Sequence, residues 1–104
     1  MPTADGFIRS LGGGNKFNAT FIIDDIQYHF TGNFNPAVNQ FTSTGATLDF
    51  ADIGLLTTQH TFQGAVGPTT ISINIQNGPT ISAPLDAPIS AASSVSGTGS
   101  WSQN

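Results

Sequence analysis

The 104-residue chain carries only eight charged side chains, Arg9 and Lys16 against six aspartates, with no glutamate and no cysteine, for a net charge of −4. Two cations cannot neutralise a run of phosphates, which excludes nucleic acid as a partner and makes an anionic membrane a poor one. Without cysteine there is neither a disulfide framework nor a thiolate metal site, so stability must come from packing and strand pairing.

Neutral polar residues take the place of charge: Thr, Ser, Asn and Gln fill 37 positions, and Gly another 12. The straight-chain charged residues that favour helices are missing, whereas Thr, Phe and Ile suit a pleated surface and Gly, Asn and Pro suit its turns. The expected fold class is all-β, one domain over residues 1–104, with a single core. No apolar run approaches the roughly 18 residues that span a bilayer. The start, Met1 to Gly6, lacks the regions of a secretory signal, but an initiator Met on a trimmed mature protein would read the same, so a soluble, extracellular protein stays among the readings.

Along the chain, Gly6 to Leu11 reads as a short strand and Gly12-Gly13-Gly14 as a turn; this glycine run opens a strand and lacks the Lys-Ser/Thr of a phosphate loop. The clearest pattern lies between Lys16 and Phe34. There Phe17, Ala19, Phe21 and Ile23 alternate with polar positions up to Asp24-Asp25, and Ile26, Tyr28 and Phe30 follow. A two-residue Asp-Asp turn would set Ile23 against Ile26, Phe21 against Tyr28 and Ala19 against Phe30 on one face, leaving Gln27, His29 and Thr31 on the other.

Asn33 to Asn39 reads as a turn-rich loop, Gln40 to Thr44 as a short strand ending at Gly45, and Ala46 to Ile53 as another extended run. Thr58 to Val66 is a further strand. Thr69 to Gln76 alternates most purely, with Ile71, Ile73 and Ile75 inward, before Asn77-Gly78 turns the chain. Pro79 cannot donate to a ladder, which marks Thr80 to Ala83 as an edge strand or the first residues of a new one. Pro84, Asp86 and Pro88 make a loop, and Ser90 to Ser102 is read as a closing strand because Val95 and Trp101 give it something to bury. A faint repeat sets Ala19 to Ile26 against Ala46 to Ile53 and would divide the fold into two related halves. About eight short strands in this length predict a small closed antiparallel barrel or a flattened sandwich, because closure removes edges that so few charges could protect.

The stretch Thr57-Thr58-Gln59-His60-Thr61-Phe62-Gln63-Gly64 resembles a Thr-Thr-x-x-Phe-x-Gly stretch of the small virulence-associated proteins of actinobacteria, which are compact eight-stranded β-barrels. The resemblance covers under a tenth of the chain; it implies a barrel and carries no site residues.

Candidate chemistry is sparse. His29 and His60 are placed on outer strand faces with structural roles, Asp24-Asp25 is a turn, and Asp49 and Asp52 fall on opposite faces of an extended segment, which does not suit a shared cation. No catalytic serine signature, metal site or cofactor site is expected. Most aromatic residues belong to the core, but Phe34 in the Asn-rich loop and Trp101 near the carboxyl end are less obviously inward. With Asn33, Asn35 and Asn39 they form the candidate ligand-binding set, and the neighbouring Gln40 could supply a further uncharged hydrogen bond. The expected function is therefore a non-enzymatic binding module that recognises a glycan or a protein through neutral polar loops, with self-association favoured by low charge. The alternatives are a barrel that carries a small apolar ligand or is a lipid-interacting secreted factor and, last, an enzyme using His29 or His60.

Overall fold

The computed structural model describes residues 3–11, 15–35, 41–76, 78–89 and 93–103. Eight strands account for most of them: β1 (Thr3–Leu11), β2 (Lys16–Ile23), β3 (Ile26–Asn35), β4 (Thr42–Asp49), β5 (Gln59–Val66), β6 (Thr70–Ile75), β7 (Thr80–Pro84) and β8 (Ser93–Gln103), with one turn of 3-10 helix at Ile53–Leu55. They close into an antiparallel barrel in the order β1-β2-β3-β8-β5-β6-β7-β4, with extents of 36 × 23 × 23 Å.

The β2–β3 hairpin has the register that the alternation demands, with Ile23 against Ile26, Phe21 against Tyr28 and Ala19 against Phe30. Its turn places Asp24 and Asp25 at φ 53° and 66°, the pair of left-handed residues that a type I′ connection needs to match strand twist. Because aspartate tolerates that region less well than Asn-Gly, Asp24→Asn combined with Asp25→Gly is expected to raise stability by about 0.5–1 kcal/mol, read as a higher urea midpoint with an unchanged slope.

Each group of four consecutive strands forms a Greek key. Strands β1 to β3 run as a meander and β4 returns beside β1; β5 to β7 repeat the pattern and β8 returns beside β5. The fold thus has two related halves, but they match β1–β4 with β5–β8. The sequence repeat instead aligns β2 with β4, strands that are not neighbours. The two long returns are tied down by hydrogen bonds. The Ser10 N–H donates to the Phe41 carbonyl at 2.9 Å and the Phe41 N–H donates to Ser10 Oγ at 2.8 Å, while Leu85, Asp86 and Ile89 donate to the carbonyls of Thr69, Thr42 and Pro68. At the opposite end the segment between β4 and β5 closes the barrel with buried Phe50 and Leu56. Asp52 caps its helical turn by accepting from the Gly54 N–H at 2.9 Å.

Four sequence expectations change. The strand at the start begins at Thr3 rather than Gly6. Gly45 does not end a strand: β4 runs through it, at a bulge where the register against β1 shifts between Gly6 and Ile8. The Gly45 N–H donates there to the hydroxyl of fully buried Ser43 at 3.3 Å. β7 is not an edge, being paired with β6 on one side and β4 on the other, because closure leaves no edge to occupy. Finally, β3 continues to Asn35, so Phe34 is the next inward position after Tyr28, Phe30 and Gly32 and not a loop residue.

An aromatic cluster fills the interior. Phe17 stacks on Phe34 at 4.7 Å and meets Phe62 edge-on at 5.3 Å, and Trp101 leans on Phe30 at 4.8 Å. These rings lie against the backbone where β3 and β8 pair glycine with glycine, Gly32 with Gly99. A Cβ at Gly32 would stand 2.8 Å from the Phe17 ring and one at Gly99 2.5 Å from that of Phe30. Glycine at these two inward positions makes room for rings supplied by the neighbouring strands.

Candidate functional site

Five positions carried the sequence-based site, and the structure separates them. Phe34 and Trp101 both point inward and are 5% and 7% exposed, so neither offers a ring to a ligand at the surface. Asn33 faces outward on β3. Asn35 pairs with Ser96 through its backbone, while its side chain, like Asn39 and Gln40, lies outside the described residues. His60 is not on the outer face: it shares the alternation of Phe62 and Val66 and sits half-buried at the barrel mouth, its Nε2 at 2.8 Å from the Thr57 carbonyl and 3.1 Å from Thr58 Oγ1. His29 does face outward. Its Nδ1 lies 2.8 Å from Thr20 Oγ1, which donates to Asn18 Oδ1 at 2.9 Å. With that proton committed, Nδ1 carries the hydrogen it gives to Thr20. Both histidines are thus occupied in local structure. Among the described residues no three His, Asp, Glu or Cys side chains gather as a metal site would require.

Trp101 Nε1 is a buried donor with no hydrogen-bond partner. Leaving such a group dry costs about 1–3 kcal/mol, which offsets much of what the larger indole gains by burial. Trp101→Phe is therefore expected to change stability by under about 1 kcal/mol, measured by denaturant unfolding.

What Asn33 belongs to becomes visible only across strands. On the outer surface of β3, β8, β5 and β6 the pairing lines up side chains in rows. Thr31, Ser100 and Gln59 make one row, Asn33, Thr98 and Thr61 the next, and Ser96, Gln63 and Asn74 a third. Thr61 extends its row to Gln76 through a 2.7 Å hydrogen bond from Oγ1 to Oε1. Neighbouring rows are about 7 Å apart and neighbouring members of a row about 4.8 Å, as the pleat and strand spacing dictate. The surface has a shallow depression of about 360 Å³ lined by Lys16, Thr31, Asn33, Gln59, Thr98 and Ser100. Two adjoining depressions, of about 330 and 470 Å³, share Gln63 and Asn74.

No carboxylate lines these depressions, and Lys16 at the rim is their single cation. Every other polar member is a hydroxyl or a carboxamide, able to donate and to accept. The aspartates gather elsewhere: Asp5, Asp24, Asp25, Asp49 and Asp52 lie toward the end where β1 begins, and Asp86 on the return between β7 and β8. The sequence did carry a signal for this face, the Thr, Ser, Asn and Gln that recur at alternate positions of these strands, interrupted by His29 on β3 and Ala65 on β5. The strand order that joins them was not in it.

Comparison of the chain with protein-family models, with curated proteins and with solved structures returns no match. The functional reading therefore rests on the chain's own residues, a closed double-Greek-key barrel with one wall of neutral hydrogen-bonding groups.

Proposed function

We propose that this barrel is a non-enzymatic binding module that recognises an uncharged glycan through the outer wall of β3, β8, β5 and β6. The observation that carries the reading is the set of parallel rows of hydroxyls and carboxamides around the Thr31, Asn33, Thr98 and Ser100 depression. Sugar hydroxyls both donate and accept, and so do the groups in these rows. A protein partner is less well matched, because protein interfaces draw their affinity from aromatic and arginine anchors and this wall presents neither. The carrier reading finds its space taken, since the rings of Phe17, Phe30, Phe34 and Phe62 occupy the interior where a cargo would sit.

With no ring to stack on a pyranose, affinity comes from hydrogen bonds worth about 0.5–1.5 kcal/mol each net, so a single site binds weakly. An extracellular setting, where glycans are displayed in many copies, fits such a site. The test is a backbone-amide NMR titration with neutral oligosaccharides, up to about 10 mM because millimolar affinity is only about 4 kcal/mol. Shifts concentrated at Thr31, Asn33, Gln59, Thr98 and Ser100 are expected. A flat titration across a panel of hexose and N-acetylhexosamine oligomers, or shifts confined to the barrel ends, overturns the reading.

A further inference from the structure

On the wall opposite the polar rows, β1 carries Asp5, Phe7 and Arg9 at alternate outward positions, all three exposed. Phe7 is 40% exposed and Ile22, across from Asp5 on β2, is 57% exposed; with Ile53 they are the large apolar side chains left in solvent among the described residues. Beside Phe7 on its other flank lies the β4 bulge. There Gly45 has no heavy atom within 4 Å of where a Cβ would stand. That open spot continues into a surface groove of about 360 Å³ over Thr47, Ser82, Ala83 and Pro84.

We infer that this wall pairs two copies of the chain about a two-fold axis passing beside Phe7. A two-fold interface must be complementary to itself. The order Asp5, Phe7, Arg9 meets that condition, because reversing the strand direction sets Asp5 of one copy against Arg9 of the other while the phenyl ring stays at the centre. The two Phe7 rings then meet at the axis, beside the open space over Gly45, and each Ile22 lies next to an Asp5–Arg9 contact. Two of only eight charges in the chain stand at equal distances on either side of its most exposed aromatic ring. The two charges are about 13 Å apart along the strand.

The patch is three strands wide and about seven residues long, a footprint of about 14 by 23 Å per copy. The total contact, on the order of 700 Å², belongs to weak and transient interfaces, so the dimer dissociates in the micromolar range. Its geometry sends the two polar walls to opposite sides of the assembly, since β5 stands diametrically opposite β1 in the strand order. If the glycan reading holds, the dimer is bivalent, but the pairing does not depend on it.

Sedimentation equilibrium from about 5 to about 500 µM brackets a dissociation constant of this size. The wild-type weight-average mass should climb from 10.8 kDa toward twice that value. Phe7→Ser should hold it at the monomer. Asp5→Arg, which brings like charges together across the axis, should weaken association at least about tenfold. The double variant Asp5→Arg/Arg9→Asp should recover it, since the swap preserves the complementarity. Circular dichroism checks that each variant remains folded. A wild type that stays monomeric throughout, single variants that associate as the wild type does, or a folded double variant that fails to recover would each overturn the proposal. None of these outcomes touches the sugar titration on the far wall.

Discussion

Phe17→Ala should cost about 3–5 kcal/mol of folding stability, the range for emptying a fully buried phenylalanine site, and lower the melting temperature by about 15–30 °C in a domain of this size. Phe17 is 0% exposed and touches Phe30, Phe34 and Phe62. With Phe30 and Phe34 it joins the first Greek key to Phe62 of the second. The void would persist, because across β3 it faces Gly32, which has no side chain to relax into the gap. Trp101 is the sole tryptophan and is buried against Phe30, so its fluorescence reports the loss without a label. Phe7→Ala, at the exposed wall, should cost under about 1 kcal/mol, as surface replacements do.

A double-mutant cycle sharpens the assignment. In the wild type, Gly32→Ala drives a methyl to 2.8 Å from the Phe17 ring and should destabilise by about 1–3 kcal/mol through overpacking. In the Phe17→Ala background the same methyl enters the void. The Thr98 carbonyl 3.0 Å away is still present, so relief is partial, and a coupling energy of about 1 kcal/mol or more is expected between the two sites. Independent, additive effects would mean that Gly32 is not kept bare for the ring.

That coupling also explains which parts of the molecule were legible in the sequence. The β2–β3 register could be read residue by residue because every inward position from Phe17 to Phe30 carries an apolar side chain and the Asp-Asp pair fixes the turn. Ile71, Ile73 and Ile75 announced β6 in the same way. Further on, the alternation is hidden by glycine. In β3 the inward series is Tyr28, Phe30, Gly32, Phe34, and in β8 it is Val95, Gly97, Gly99, Trp101. A reader of one strand sees polar residues flanking a bare position and takes Phe34 and Trp101 for surface groups. The rings that justify those glycines come from elsewhere in the barrel, so the burial is a tertiary fact. Gly45 misled in the opposite sense, ending a strand on paper that in the barrel merely bulges. The candidate site failed for a related reason: Asn33 was visible, but its partners Thr98 and Ser100 lie some 65 positions onward and meet it only because β8 returns beside β3. Greek-key returns are set by whole-barrel closure and leave no local mark.

The wall of neutral rows makes the second large prediction. Thr98→Glu should weaken glycan binding at least about tenfold, the equivalent of about 1.4 kcal/mol, with little effect on folding. Thr98 is central to its row, paired with Asn33 on one side and Thr61 on the other. The substitution removes a group that donates and accepts and sets in its place an acceptor-only carboxylate that must shed water before a sugar hydroxyl can approach. Thr98→Ser keeps the hydroxyl and should bind within about twofold of the wild type, because the loss is one methyl group and not a hydrogen bond. Ala87→Glu, on the exposed return between β7 and β8, adds the same charge away from the rows. At moderate salt a charge separated from the ligand by more than the Debye length of about 10 Å is screened, so binding there should be unchanged. Amide shifts and calorimetry on the three variants distinguish a site built from this row from a diffuse preference of a polar surface, because a diffuse preference would register Thr98→Glu and Ala87→Glu alike.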